Sequence, residues 1–183
     1  MKVIPTDVEG LIVFEPTPHF DERGFFTRTL DVEILASAGI DPASFKQDNQ
    51  SRSFKGVVRG LHGRINVGEG KLVRCAHGAV FDVVIDTRVG SRTFGEVRTF
   101  LLDDRDHRQI FIPRGFLHGH QALTETADIC YRMDNFYGPG EDTTVRFDDP
   151  ELAVPWPDPV TIVSDRDRAG QTWAEYRRFL GVA

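Results

Sequence analysis

His62 closes the run GVVRGLH, where apolar residues lead into a stretch that reads as a strand. An imidazole in that setting is either a satisfied, half-buried side chain or a general base. The second role needs a carboxylate to set its tautomer and raise its basicity. Asp167, far along the chain in SDRDRAG, supplies one if the segment carrying Pro150, Pro155, Pro157 and Pro159 returns to the end of that strand. Tyr131 in ICYRMD and Tyr137 in DNFYGPG are packing groups with a wet hydroxyl, or, facing a base across a planar intermediate, a phenol that returns a proton.

A second set of residues suits an anionic ligand. Arg23 lies in DERGFF, Arg59 immediately precedes GLH, and Lys71 stands at the head of an apolar strand. An arginine fork holds a diphosphate through paired, charge-assisted hydrogen bonds, and a lysine acts as a mobile point charge. Each taken alone is equally a solvated strand-end charge. Together with Gln47 and Asn49, just ahead of GVVRGLH, they favour a ligand site.

The elements that must position these groups read as short strands. VRCAHGAVFDVVID alternates Phe81, Val83 and Ile85 with Asp82 and Asp86, and Gly78 splits it in two. Further strands are expected at Gly10–Phe14, Phe94–Leu101, Gln109–Ile112, His118–Leu123, Ala127–Met133 and Thr143–Phe147, separated by GS, DD, PRG, GPG and DDP. Many short strands with frequent turns indicate a sandwich or barrel. Helical periodicity is confined to Leu30–Ala38, with Gly39 as its cap, and to Thr172–Phe179, where Trp173, Tyr176 and Phe179 recur. Neither a repeat nor a composition shift divides the chain, so residues 1–183 are expected to form one domain.

His118 and His120 in IPRGFLHGH fall on one side of a strand, so iron or zinc is a competing occupant. Metal-binding cupin barrels bring an HxH pair and an acid from one strand region and another histidine from a second. Here the first region reads His62-Gly63-Arg64, and a guanidinium has no lone pair to donate and repels a cation. No metal is therefore expected. A redox cofactor is not expected either, since no glycine-rich fingerprint opens a βαβ unit.

With Lys+Arg 22 against Asp+Glu 28 the formal charge is -6, which argues against a basic face for nucleic acid. Cys75 and Cys130 lie in apolar runs without metal or redox spacing and read as reduced core residues of a cytoplasmic protein. The N-terminal MKVIPTDVEGLIVFEP lacks a signal-peptide core, and no apolar run approaches the roughly 20 residues that span a bilayer.

The motifs FDERGFF, QDNQSRSFKGVVRGLH, GKLVRCAHGAVFDVVIDTRVGSRTFG, QIFIPRGFLHGH, YRMDNFY, WPDP and SDRD, in that order, resemble the dTDP-4-dehydrorhamnose 3,5-epimerase family and its antibiotic-sugar epimerase relatives. The resemblance implies an all-β jelly-roll (cupin) barrel with short peripheral helices, an N-terminal arm and a C-terminal extension packed on it. It further implies a homodimer acting without metal or cofactor on a dTDP-4-keto-6-deoxyhexose. By the same resemblance, His62 is the base, Asp167 its partner, Tyr131 the acid and Lys71 the group that steadies an enolate. His118 lines the sugar site, and Arg23, Gln47 and Arg59 contact the nucleotide diphosphate. The chain departs from the family pattern at Arg28, usually an acid, at Gln50, usually a histidine, and at Gly63, usually an aromatic. A missing aromatic wall at Gly63 is expected to change how the sugar turns beside the base. That leaves inversion at C3 alone as an alternative to inversion at C3 and C5, and a non-catalytic sugar-nucleotide-binding barrel as a further one.

Overall fold

The computed structural model describes residues 1–138 and 140–182; Pro139, in the expected GPG turn, and Ala183 lie outside them. In chain order the strands are β1 (Lys2–Pro5), β2 (Ile12–Glu15), β3 (His19–Asp21), β4 (Gly24–Phe26), β5 (Gln47–Phe54), β6 (Val58–Arg64), β7 (Lys71–His77), β8 (Ala79–Asp86), β9 (Val97–Asp103), β10 (Gln109–Ile112), β11 (Phe116–Ala122), β12 (Thr126–Met133) and β13 (Asp142–Thr144). Short helices α1 (Val32–Ser37), α2 (Asp165–Arg168) and α3 (Trp173–Phe179), with a 3₁₀ turn at Pro42–Ser44, complete the described elements.

Two antiparallel sheets face one another as a jelly roll. The larger runs β1-β2-β10-β7-β12-β5, the smaller β13-β6-β11-β8-β9, and β3 with β4 forms a separate hairpin. Gly78 does more than interrupt a strand. At φ 73° it turns the chain from β7 in one sheet into β8 in the other, and a Cβ there would meet Thr124 Oγ1 and the Thr126 carbonyl at 2.3 Å.

Between the sheets, Val73, Cys75, Ile110 and Ile129 of the larger pack against Val80, Val84, Leu102 and Ala122 of the smaller. Both cysteines are buried and free, and burial pushes the Cys75 thiol up to about 12. This apolar filling occupies one end of the sandwich. Toward the other, the same inward rows change chemistry: β7 begins with Lys71 ahead of Val73 and Cys75, and β12 carries Tyr131 and Met133 beyond Ile129.

Both outer faces are covered in part. Leu35 of α1 packs with Phe14, Ile40 and Leu72 on the larger sheet. Asp31 caps that helix by accepting from the Glu33 and Ile34 amides, and Gly39 at φ 80° follows its end, so the helix is shorter than the expected Leu30–Ala38. On the smaller sheet, Trp173 and Tyr176 of α3 join Leu61, Val83, Ile85 and Leu117. The alternation of Phe81, Val83 and Ile85 thus marks the face under the C-terminal extension, while Val80 and Val84 face the other sheet. Thr172 and Glu175 form a reciprocal capping box that starts α3. No helix is long and apolar enough to cross a membrane among the described residues.

Candidate active site

Where the apolar filling stops, a cleft of about 350 Å³ opens between the sheets. That is the size of a small-molecule site. The smaller sheet contributes His62 and Arg59 from β6 and His118 from β11, and the larger contributes Lys71 from β7, Tyr131 from β12, and Gln47 and Asn49 from β5. Tyr137 lines its rim.

His62 and His118 are cross-strand partners, and Gly60 makes their approach feasible. At φ 129°, a Cβ on Gly60 would stand 2.6 Å from Gly119 Cα. Asp167 is brought back by the extension: Ser164 caps α2 by accepting from the Asp167 amide, and Asp167 Oδ1 lies 2.7 Å from His62 Nε2. Its Oδ2 accepts from the Gly60 amide at 3.2 Å. Burial alone raises the Asp167 carboxyl, but the His62 hydrogen bond and charge, with the Gly60 amide, hold it below the usual carboxylate range. An ionised carboxylate accepts only, so in the neutral imidazole the His62 proton belongs on Nε2 and the Nδ1 lone pair is left free.

A second imidazole–carboxylate pair lies beside the first, with His118 Nε2 2.9 Å from Asp82 Oδ2. Asp82 is fully buried, and desolvation raises its carboxyl against the opposing effect of His118. Across the cleft, burial foremost and then the Glu69 charge push the Tyr131 phenol above its ordinary value, so it keeps its proton at neutral pH. Gln47 Oε1 accepts from the Tyr137 amide at 2.9 Å, Asn49 donates to Met133 Sδ, and Arg59 Nε donates to Ser53 Oγ at 2.9 Å.

Of the residues singled out from the sequence, Arg23 is not brought to this cleft. It sits in the β3–β4 turn, paired with Asp21, and its side chain is 85% exposed. The reason is that β3 and β4 pair only with each other and belong to neither sheet. Gly63 also departs from expectation. A Cβ there would point at Leu117 Cδ2 (2.9 Å), the Phe116 carbonyl and Thr143 Cγ2. An aromatic at this position would start into the packed outer face, although Gly63 itself lines the cleft. Gln50 donates to Asp128 and Arg28 pairs with Asp31, neither of them lining the cleft.

Glu69, Asp142 and Arg166 line the cleft without having carried a signal in the sequence, and Arg64 and His120, which the sequence brought forward only in weighing a metal site, line it too. Charged residues in loops and strand ends read as solvated surface, and only the fold distinguishes a buried one. Arg64 stands among Glu69, Glu141 and Asp142, and no group of three or more His, Cys, Asp or Glu side chains is arranged to hold a metal ion among the described residues.

The family model for dTDP-4-dehydrorhamnose 3,5-epimerase matches residues 5–175. The dTDP-4-dehydrorhamnose 3,5-epimerase of Pseudomonas aeruginosa is 40% identical over 176 residues, covering 96% of this chain and 97% of its own. The dTDP-4-dehydrorhamnose 3-epimerase of Streptomyces niveus is 38% identical, covering 97% of this chain and 86% of its own. The crystal structure of the Legionella pneumophila dTDP-6-deoxy-D-glucose-3,5-epimerase in complex with dTDP-4-keto-L-rhamnose superposes with a TM-score of 0.88 at 39% identity, covering 93% of this chain and 92% of that one. With the match running through both sheets and the extension that carries Asp167, the chain belongs to the dTDP-4-dehydrorhamnose 3,5-epimerase family.

Proposed function

We propose that this protein is a cofactor-independent 3,5-epimerase that converts dTDP-4-keto-6-deoxy-D-glucose to dTDP-4-keto-L-rhamnose. The observation that carries the reading is the placement of the His62–Asp167 pair and the Tyr131 phenol on facing sheets with the cleft between them. Epimerisation removes a proton from one face of a carbon and returns one to the other, so a base and an acid must stand opposed.

The C4 ketone acidifies the hydrogens on C3 and C5. His62 Nδ1 takes the proton, and Asp167 stabilises the imidazolium that forms. As the C–H bond breaks, charge builds on the C4 oxygen, and the Lys71 ammonium stabilises it there. Tyr131 then delivers a proton from the opposite side. Inverting both centres requires the hexose to turn while the nucleotide stays bound, and Arg59, Gln47, Asn49 and Tyr137 line the cleft where they can hold that end. The Legionella enzyme's complex with a dTDP-keto sugar supports a ligand of this class.

A homodimer is part of the proposal. Phe20, Phe25 and Phe26 of the β3–β4 hairpin are each more than half exposed, and Arg23 beside them is exposed and paired with Asp21 of the same hairpin. Contiguous exposed aromatics mark an interaction surface. Reaching across a two-fold axis buries them and delivers Arg23 to the diphosphate in the partner's cleft.

Proton and carbon NMR of the product formed from dTDP-4-keto-6-deoxy-D-glucose in deuterated water tests the activity. Deuterium and inverted configuration at both C3 and C5 are expected. Label and inversion confined to C3 would make it a 3-epimerase like the Streptomyces niveus relative, and label at neither carbon would leave only a binding protein.

A further inference from the structure

Arg64 follows His62 by two residues on β6, so both side chains project from the same face of the strand. Arg64, and not Gly63, is therefore the residue that stands beside the base. Its side chain is only 1% exposed, and its Nε lies 2.9 Å from Glu69 Oε2. The other oxygen, Glu69 Oε1, lies 2.9 Å from Lys71 Nζ. One buried carboxylate thus bridges two cations with a different oxygen for each. Arg64 Nη1 also donates to the Phe136 carbonyl at 2.5 Å, and the guanidinium carbon is 5.8 Å from the Tyr137 ring.

The proton transfers do not use Arg64 or Glu69, and taking such a pair out of water is costly. Electrostatics gives them a role. Lys71 and Glu69 alone would form a neutral pair, and the carboxylate behind the ammonium would offset its field at the C4 oxygen. With Arg64 on the far oxygen, the group holds two cations to one anion. Asp142, whose Oδ1 lies 3.5 Å from the same Arg64 Nε, is itself shared with Arg166 at 3.3 Å, and Glu141 is partly solvated. The geometry points to Arg64 and Glu69 as positioning residues for Lys71: Glu69 fixes the ammonium in the cleft, and Arg64 keeps that carboxylate from cancelling its charge. The inference rests on the epimerase reading of the cleft.

Single-turnover deuterium wash-in from solvent into dTDP-4-keto-6-deoxy-D-glucose, with substrate affinity measured separately, is the test. Arg64→Gln is expected to lower the wash-in rate about tenfold or more with affinity changed less than about threefold, because an electrostatic group acting on the developing oxyanion affects the rate rather than binding. In a Lys71→Met background the same substitution should cost less than about twofold, since the group it acts through is gone. Adding Glu69→Gln to Arg64→Gln should return most of the lost rate. The anion is then absent, and the carboxamide oxygen introduced by Glu69→Gln still faces the Lys71 ammonium. Full-rate Arg64→Gln, additive losses with Lys71→Met, or a folded double variant as slow as Lys71→Met would each overturn the proposal. If Arg64→Gln alone fails to fold, the double variant, which leaves no unpaired Glu69 charge beside the missing guanidinium, decides between these outcomes. A wild-type protein that washes in no deuterium would sink the epimerase reading instead, which keeps the two failures apart.

Discussion

His120 shows how a single side chain of this cleft couples to stability. It is buried at the back of the site, its Nε2 has no hydrogen-bond partner, and its ring centroid is 6.3 Å from that of His118. Desolvation foremost, then the neighbouring His118, Arg59, His62 and Lys71, lower its value from 6.5 to about 3. His120 therefore stays neutral in the folded protein, whereas the unfolded chain takes up its proton below about 6.5. The unfolded state binds more protons in that window, so stability falls as pH drops from about 6.5 toward about 3. At pH 5 the loss assigned to this residue is on the order of 2 kcal/mol. Urea unfolding at pH 7 and pH 5 should show wild type losing about that much more stability than His120→Gln. Equal losses in the two proteins would place the acid sensitivity elsewhere.

The C-terminal extension is the element on which the His62–Asp167 pair depends. Trp173 packs against Phe94 and Tyr176 at centroid distances of 5.6 and 5.9 Å, and its amide donates to Asp149. This anchor lies just beyond α2, which holds Asp167 against His62. Trp173→Ala should cost about 3 kcal/mol in urea unfolding, as large-to-small core changes do. It should also slow deuterium wash-in while the protein is still folded, because Asp167 loses its support. Unchanged wash-in would show that α2 is held independently. In the sequence, the strands that fill the core were readable from their alternation, and Gln109–Ile112 falls where the pattern places it. β5 was not readable as a strand. Its inward row is Gln47, Asn49, Ser51 and Ser53, and a strand that lines a polar cleft has no apolar period to display. Asp167 was legible as a partner for His62 only on the condition that the proline-rich segment returned. Arg64 was legible only as a cation where a metal ligand would stand, and Glu69 not at all, because nothing in a charged residue's type announces that it is buried.

At the scale of the whole molecule, the question is where Arg23 acts, since its own chain leaves it outside the cleft. If the proposed homodimer carries each β3–β4 hairpin to the neighbouring cleft, every site draws His62 from one chain and Arg23 from the other. A His62→Ala homodimer then has nucleotide contacts but no base, and an Arg23→Ala homodimer has the base but a weakened diphosphate contact. Subunits of the two variants, dissociated and reassociated together, form mixed dimers. In each mixed dimer one cleft pairs an intact His62 with the partner's intact Arg23, and the other lacks both. Random reassociation makes about half the dimers mixed with one working site each, so about a quarter of wild-type activity is expected to return at substrate concentrations where Arg23→Ala alone is nearly silent. Were Arg23 to serve its own chain, no mixture would restore a complete site and the activity would only average that of the parents. Light scattering on the same samples should report dimers. Replacing Phe20, Phe25 and Phe26 with serine should shift them toward monomer and abolish the recovery, because in the proposed dimer the exposed aromatic face is what the partner covers.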